Sequence, residues 1–467
     1  MSNLFLYEDE SVKDLMQRYL TDWVFSRRPL KTDSDIVVRW GNESAPETYP
    51  WALNPVHGSQ TARATRPFRR IMKLSGVTTS SQINDGTEPW KSRPRNLRHR
   101  FQIGVFDLSV VFVREDITTA DKAPSGARSN EIRRLKELAM RAVYACGLDF
   151  GVVHAGIERK TREPVILGVD PAPRLSPGTA MRFAGGILRY TGALNGLKSK
   201  MRNRSLSIGL GADPEFMLTK QDGGRAFASD YLPVSGPVGC EMQPAQFNGR
   251  SHKPVAELRP SYALSPLRLF NNLKQTVERA DKMIPRGIYW LAGSVPDGTF
   301  PTGGHIHFSR IPLTSRLLRA LDNYLAVPLF LLEDPARTII RRPRYGFLGD
   351  VRVKSHGGFE YRTPFSWLHS PVLARGTLCL AYVVAREHLR LTQNLFADPL
   401  YIEAFYAAEK GPFRQRFDAL WADLETTPSF DDYRRALEAL RVLIESGWVA
   451  EEDADFRRMW IEYKGGA

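Results

Sequence analysis

Gly211-Ala212-Asp213-Pro214-Glu215-Phe216 places two carboxylates two residues apart. On a strand that spacing sends both to one face and leaves Phe216 and Leu218 on the other. Three later stretches repeat the arrangement. Ala256-Glu257-Leu258-Arg259 sets Glu257 and Arg259 against Leu258, Gly303-Gly304-His305-Ile306-His307-Phe308 sets two histidines against Ile306 and Phe308, and Gly358-Phe359-Glu360-Tyr361-Arg362 sets Glu360 and Arg362 against Phe359 and Tyr361. Strands of this kind, side by side, would build one pocket of acids, histidines and arginines. Asp213, Glu215, Glu257, His305 and Glu360 are residue types that hold divalent cations. Hard oxygen ligands suit Mg²⁺, and an imidazole widens the choice to Mn²⁺. Arg259, Arg352 and Arg362 would then face phosphates, where a planar fork of donors has an advantage. The combination points to metal–nucleotide chemistry.

Each piece has a plainer reading. An acid pair on a strand is commonly a solvated face, and a His-x-His is commonly structural or part of a zinc site. Glu-Tyr-Arg reads equally as a cross-strand ion pair, worth ~0.2–1 kcal/mol if exposed. Pro214 predicts an edge strand or a strand end rather than the sheet centre. The recurrence of the pattern is what argues for a shared site. A zinc hydrolase using His305, His307 and Glu360 is an alternative, although no His-Glu-x-x-His accompanies them.

These strands need a scaffold. At 467 residues the chain exceeds one ordinary core, and two or three domains are expected. Three scattered cysteines, Cys146, Cys240 and Cys379, offer neither a disulfide framework nor a metal-ligand spacing, which suits a reducing cytosol. No signal-type apolar core opens the chain, and no apolar run approaches the ~18–20 residues that span a bilayer, so a cytoplasmic protein without a membrane partner is expected. The net charge of +14 is spread along the chain, with small clusters at Lys91–Arg100, Lys198–Arg204 and Arg337–Arg344. Nucleic acid is not expected in the absence of a recognition motif, although the charge leaves it open. Nucleotide phosphates or an acidic peptide account for it equally well.

In chain order, Val12, Leu15, Met16 and Leu20 have helical spacing, and Ile36–Asn42 reads as a strand. Residues 43–67 are rich in Pro, Ser, Thr and Asn and predict a loop, followed by a short helix over Phe68–Leu74. Arg100–Phe106 and Leu108–Arg114 predict a strand pair, Glu131–Cys146 an amphipathic helix, and Phe150–Ile157 with Pro164–Val169 a hairpin. The basic stretch within Gly196–Ser205 marks the best boundary, giving domains 1–200 and 205–467. Beyond it, Leu206–Leu218 predicts a strand. Ser265-Pro266 opens a helix carrying Leu267, Phe270, Leu273, Val277, Ala280 and Ile284. Tyr289–Ala292 is a short strand, Leu313–Glu333 a helix kinked at Pro328, and Thr377–Phe396 a helix, with further helices after Tyr401.

Two resemblances sharpen these expectations. Arg39-Trp40-Gly41-Asn42, Leu53-Asn54-Pro55, Gly147–Val153 and Val169-Asp170-Pro171-Ala172-Pro173 look like landmarks of phage-type ATP-grasp proteins over residues 36–190. That family holds Mg–ATP with acids on its last two strands. Here the corresponding positions are His154 in place of Asp, and Gly168 and Asp170 in place of Glu and Asn, so a degenerate ATP-grasp-like α/β domain is implied. From about Ser207 to Leu368, the motifs Gly-Ala-Asp-Pro-Glu-Phe, Ala-Glu-Leu-Arg-Pro, Gly-Gly-His-Ile-His-Phe and Gly-Phe-Glu-Tyr-Arg-Thr-Pro resemble phage-type carboxylate–amine ligases, amidoligases of the second type.

This second resemblance implies an α+β fold: a glutamine synthetase-like antiparallel sheet with helices on one face and C-terminal helices beyond. It implies ATP with Mg²⁺ or Mn²⁺, Glu215 and Glu257 at one cation, and Asp213, His305 and Glu360 at the other. His307 and Arg362 would contact nucleotide, with Arg259 and Arg352 beside them, Glu241 would be a further acid, and Glu215, Glu257 and Arg362 would carry the catalysis. The implied reaction joins a carboxylate and an amine through an acyl phosphate, on substrates that include peptides or proteins, in the host cytoplasm if the origin is a phage. An oligomer is compatible with the sequence. A binding or structural protein built on ligase folds is the alternative.

Overall fold

The computed structural model describes residues 3–30, 36–41, 52–83, 85–115, 129–203, 205–242, 244–355 and 357–463. Asn42, the expected loop over 43–51 and Arg204 lie outside the described residues. The chain divides into two compact units, Met1–Arg202 with Phe396–Glu403, and Asn203–Leu395 with Ala404–Ala467.

The first unit opens with β1 (Leu4–Tyr7), α1 (Glu10–Met16), β2 (Val24–Ser26) and β3 (Val37–Trp40). These strands form a parallel sheet in the order β2-β1-β3. Asp9 caps α1 by accepting from the Ser11 amide. Two helices follow, α2 (Val56–Arg63) and α3 (Thr65–Leu74). The loop expected up to residue 67 is therefore helical from Val56 onward. Its polar composition misled because α2 buries small residues, Gly58, Ser59 and Ala62, instead of large apolar ones. An antiparallel sheet ordered β5-β4-β6-β7 is made by β4 (Leu97–Phe106), β5 (Ser109–Glu115), β6 (Phe150–Glu158) and β7 (Pro164–Asp170). Against it pack α4 (Ser129–Ala145) and the 26-residue α5 (Pro177–Arg202). Phe183, Ile187, Tyr190, Leu194 and Leu197 are the buried stripe of α5. The basic stretch expected to mark the boundary forms the last turns of a helix up to Arg202, where lysine and arginine favour the negative end of the backbone dipole.

The family-like landmarks of this unit meet one another. Asn54, fully buried with φ 59°, donates through Nδ2 to the carbonyls of Phe150 (3.0 Å) and Pro171 (3.1 Å). Its Oδ1 accepts from the amides of Asp149 (2.8 Å) and Phe150 (3.0 Å), and its own amide donates to Asp149 Oδ2 (2.8 Å). Trp40 donates to the Pro173 carbonyl at 3.1 Å and stacks on Phe150 with ring centroids 4.8 Å apart. A buried amide with this many partners is an internal strut.

The second unit is built on β8 (Gly209–Lys220), β9 (Arg225–Ala226), β10 (Val238–Cys240), β11 (Ala245–Phe247), β12 (Arg250–His252), β13 (Val255–Leu258), β14 (Ile288–Leu291), β15 (Gly304–Ser309), β16 (Val351–Val353) and β17 (Phe359–Tyr361). Its main sheet runs β10-β13-β8-β15-β17-β16 with antiparallel neighbours, and β9 and β14 also pair with β8. Phe216, Leu258, Ile306, Phe308, Phe359 and Tyr361 are buried on the apolar side, while α6 (Pro266–Met283), opened by Ser265-Pro266, packs on β8, β10 and β13.

Pro214 corrects one expectation: β8 is central, not an edge. The Glu215 amide donates to Gly303 on the β15 side, so the position of the missing Pro214 N–H faces β13. Pairing with β13 stops at Glu215↔Glu257, one residue short of Pro214, and no ladder bond is lost. The helix expected around Pro328 runs as α7 (Ser315–Leu321), a π turn over Asp322–Ala326 and α8 (Val327–Phe330). The wider turn makes room for a ring that lacks an N–H. Next comes α9 (Pro335–Arg341), and then α10 (Pro371–Glu387), which starts earlier than its apolar period indicates because Ser370 caps it and Pro371 fits its first turn.

Candidate active site

The sheet order places the polar-faced strands β13, β8, β15 and β17 next to one another. Glu257 lies across from Glu215, Asp213 from His305, His307 from Glu360, and Glu360 from Arg352. His305 Nδ1 stands 3.4 Å from Asp213 Oδ1, 3.5 Å from Glu360 Oε1 and 3.9 Å from Glu215 Oε1. Its ring fits because position 303 is glycine: a Cβ there would lie 2.2 Å from His305 Nε2. The Gly303 amide donates to Glu215 Oε2 at 2.8 Å, which fixes that carboxylate.

Burial governs the protonation of the cluster. It opposes the charge of His305, yet Glu215, Asp213 and Glu360 outweigh it and raise the imidazole to about 9. Burial pushes Glu215 up to about 7, with Glu241 and Asp213 adding to the shift. Burial likewise raises Glu257 to about 8, reinforced by Asp213 and Glu215 and opposed by Arg259. Burial works against the Asp213 carboxylate as well, but the neighbouring imidazoles of His305 and His307 prevail and lower it.

The residues fit a divalent cation. Asp213, His307 and Glu360 each offer a ligand atom within 4.8 Å of the others. Asp213 Oδ1 and His307 Nε2 are buried and make no hydrogen bond among the described residues, although His307 Nε2 is 3.0 Å from Asp213 Oδ2. Carboxylate oxygens and an imidazole nitrogen gathered at this spacing are the donor set that a divalent cation takes. His307, expected at the nucleotide, thus stands among candidate ligands, and His305 stands between the carboxylates of both expected cation sites.

The cations differ in how committed they are. Arg259 is engaged by Glu257 and by the carbonyls of Val234 and Gly236, both at 3.3 Å. Arg362 Nε and Arg352 lie 3.5 and 3.6 Å from Glu360, and Lys354 pairs with the same carboxylate. Lys354 was not singled out from sequence, although it follows Arg352 at strand spacing. A cleft of about 220 Å³ opens beside Glu215. It is lined by Glu241, Thr299, Gly303 and His305, and by Arg344, Tyr345 and Arg362 from the far wall. Arg344 was legible only as the end of the basic cluster Arg337–Arg344, and Tyr345 went unread, because the loop after α9 has no alternation to flag it.

The first unit contrasts with this. His154 and Gly168 are neighbours on β6 and β7, and a Cβ at Gly168 would lie 2.3 Å from the Trp90 amide nitrogen. No acid fits there without moving the turn over Pro89–Lys91. Burial raises Asp170 to about 6, and its carboxylate accepts from the Ala172 amide at 3.1 Å.

The antiparallel sheet thus turns acids, histidines and arginines to one face, with the arginines beside Glu257 and Glu360. Residues 210–461 match the family model described as phage phiEco32-like COOH·NH2 ligase, type 2, and the chain belongs to that family. No curated protein matches it. Among solved structures it is similar to a bifunctional glutathione synthetase from Pasteurella multocida, at 11% identity and a TM-score of 0.34. That match takes in 55% of this chain and 52% of the synthetase, so the chain spans about half of its length. It is also similar to the macrocyclase MdnB from Microcystis aeruginosa MRC (10% identity, TM-score 0.28, 39% of this chain and 98% of that one). A third is D-alanine–D-alanine ligase from Bacillus anthracis, complexed with ATP (10% identity, TM-score 0.26, 39% and 91%). At these scores the likeness carries no argument about the reaction. No helix among the described residues is long and apolar enough to cross a membrane.

Proposed function

We propose that this chain is an ATP-dependent carboxylate–amine ligase that forms an amide through an acyl phosphate, on a glutamine synthetase-like sheet. The observation that carries the reading is the group of buried Glu360 with half-buried Asp213 and His307, whose buried atoms Asp213 Oδ1 and His307 Nε2 make no hydrogen bond, set beside Arg352, Lys354 and Arg362. Asp213, His307 and Glu360, with His305 among them, would hold one cation, and Glu215 and Glu257 a second, Glu241 lying nearby. Bound Mg²⁺ or Mn²⁺ would neutralise phosphate oxygens. Arg362, Arg352 and Lys354 present positive charge where the transferring phosphoryl group becomes most anionic. The Gly303 amide and His305 hold the Glu215 carboxylate in one orientation.

In the first step a substrate carboxylate oxygen attacks the γ-phosphorus and ADP leaves. In the second the amine attacks the acyl carbon, phosphate leaves and the amine loses a proton. The N-terminal unit would present substrate and carry out no nucleotide chemistry of its own, a reading supported by the closed space at Gly168. The substrates are a carboxylate and an amine, with peptides and proteins included.

Hydroxylamine tests this without knowledge of the amine, because it traps an acyl phosphate as a hydroxamate. With ATP, Mg²⁺ or Mn²⁺ and a panel of carboxylates that includes peptides and cell-wall fragments, hydroxamate and phosphate should appear together and vanish in Glu215→Ala. Phosphate without hydroxamate would mark a hydrolase. Neither product, with no ATP binding by calorimetry, would mark a binding protein and end the ligase reading.

A further inference from the structure

Besides strand residues and the stretch from Glu241 to Val255, two walls of the cleft beside Glu215 are loops. One runs on from Ser294 and lines the cleft at Thr299–Gly303, and the other follows α9 and lines it at Arg344, Tyr345, Gly346 and Asp350. Loops that line a cleft need anchors, because their own backbone bonds are few. Here both walls are tied to one buried acid outside the site described above. Glu333, 1% exposed, takes two bonds from Arg342, with NH2 to Oε1 at 2.6 Å and NH1 to Oε2 at 2.7 Å. Arg342 in turn donates from Nε to the Gly346 carbonyl at 2.9 Å, closing the loop that displays Arg344 and Tyr345. The same Glu333 Oε2 accepts from Thr338 Oγ1 at 2.8 Å and from Ser294 Oγ at 3.1 Å. Ser294 begins the opposite wall, where its carbonyl accepts from the Thr302 amide at 3.0 Å. Glu452 fixes the same corner by accepting from the amides of Ser294 (2.7 Å) and Val295 (2.9 Å).

We propose that Glu333 is a positioning residue that couples the two walls of this cleft through Ser294 and Arg342, and thereby sets the fit of the carboxylate or amine substrate that enters beside Glu215. A buried ion pair is a poor source of net stability, since desolvation offsets its attraction. Its value here is geometric: the guanidinium fork fixes one loop, and Oε2, which the fork and Ser294 share, fixes the other. The role in substrate fit rests on the ligase reading, whereas the coupling of the walls does not.

Glu333→Ala would strand Arg342 and unfold the region, so the informative variants remove single bonds. Ser294→Ala deletes the link to the far wall. Thr338→Val keeps the side-chain shape but deletes a second bond, and Thr338→Ser restores the hydroxyl. In the hydroxamate assay Ser294→Ala should raise KM for the carboxylate or for hydroxylamine about tenfold, the effect of one bond to a charged acceptor. Its kcat and its KM for ATP should change by less than about twofold on that arithmetic. Thr338→Val should follow in the same direction and Thr338→Ser should recover. Amide hydrogen exchange in the full chain reads the coupling directly. Ser294→Ala should speed exchange in both 294–303 and 341–350 while α6 and α10 stay protected. Faster exchange in its own segment alone, or in neither, overturns the coupling. Coupled exchange with every kinetic constant unchanged overturns the role in substrate fit. A wild-type protein that makes no hydroxamate counts against the ligase reading, and the exchange data still decide whether Glu333 joins the walls.

Discussion

The large antiparallel sheets of the two units treat their polar positions in opposite ways. In the first unit, β6 and β7 bring His154, Gly168 and Asp170 close, and the space between is closed by the Trp90 backbone and by internal hydrogen bonds. In the second, β8, β15 and β17 bring Asp213, His307 and Glu360 close and leave Asp213 Oδ1 and His307 Nε2 without hydrogen bonds. A stable fold satisfies its buried polar groups unless something else is to satisfy them. One sheet closes the space between these positions with its own chain, while the other keeps two polar atoms there without a hydrogen bond.

The largest expected effect separates the sheets outright. Glu215→Ala or His305→Ala should stop hydroxamate formation, a loss well beyond the ~10–100-fold typical for an outer partner of a metal. Full activity in the Glu215 variant would place the chemistry elsewhere. On the other side of that sheet, Ile306→Ala opens a fully buried site and should lower unfolding stability by ~2–5 kcal/mol in denaturant titration. A loss below about 1 kcal/mol would mean that the apolar face is not a packed core. In the first unit, Asn54→Ala leaves the amides of Asp149 and Phe150 unpaired and should cost ~1–3 kcal/mol for each group left buried. ATP turnover per folded molecule should be unchanged.

The pH response follows from the raised groups. Glu215 and Glu257 have folded values of about 7 and about 8, above the ordinary 4.5, so the fold binds their protons more tightly than the unfolded chain does. Their contribution is present below about pH 4.5 and is lost as pH climbs through 7 and 8. His305, raised from 6.5 to about 9, contributes fully below 6.5 and loses that contribution as pH climbs through 9. Cation-free protein should therefore melt at a lower temperature at pH 8.5 than at pH 6, and Mn²⁺ should restore more at the higher pH, because binding displaces protons. Thermal scans with and without chelator check this, and an equal gain from Mn²⁺ at both pH values would argue that no titrating acid holds the ion. The smallest expected effect is Asp170→Ala, with ATP turnover within about twofold of the wild type. A collapse of turnover there, with Glu215→Ala active, would exchange the roles of the two units.

What could be read in advance followed the strength of local periodicity. The alternation of β8, β15 and β17 marked the same-face residues because side chains on a strand repeat every second position. The spacing after Ser265 gave α6 for the corresponding reason. Alternation says which residues share a face but not which strands are neighbours, so that part came through family resemblance. The helix α5 escaped because five glycines dilute its stripe, and α2 because it packs through small residues. The cleft loop showed in advance only as the basic cluster ending at Arg344, and Glu333 only as the end of an expected helix, with nothing to say that the one anchors the other. Glu333 and Ser294 are 39 positions apart, and only the folded chain brings them together.

Pro214 has a mechanical consequence. On one edge β8 is bonded almost continuously, to β15 from Gly209 to Pro214 and then to β14 from Met217 to Lys220. On the other edge the ladder to β13 covers only Glu215, Phe216 and Met217 before β9 takes over, with a lone bridge from Leu210 to Ala263 at the far end. The imino acid ends that ladder at the point where Glu257 faces Glu215. Asp213, His305 and His307 therefore sit on the stiff side of the strand, in a frame that holds its dimensions. Glu257 sits on a short seam that yields at little expense in hydrogen bonds, so the gap between the two glutamates is the dimension of this face most readily adjusted to what lies between them.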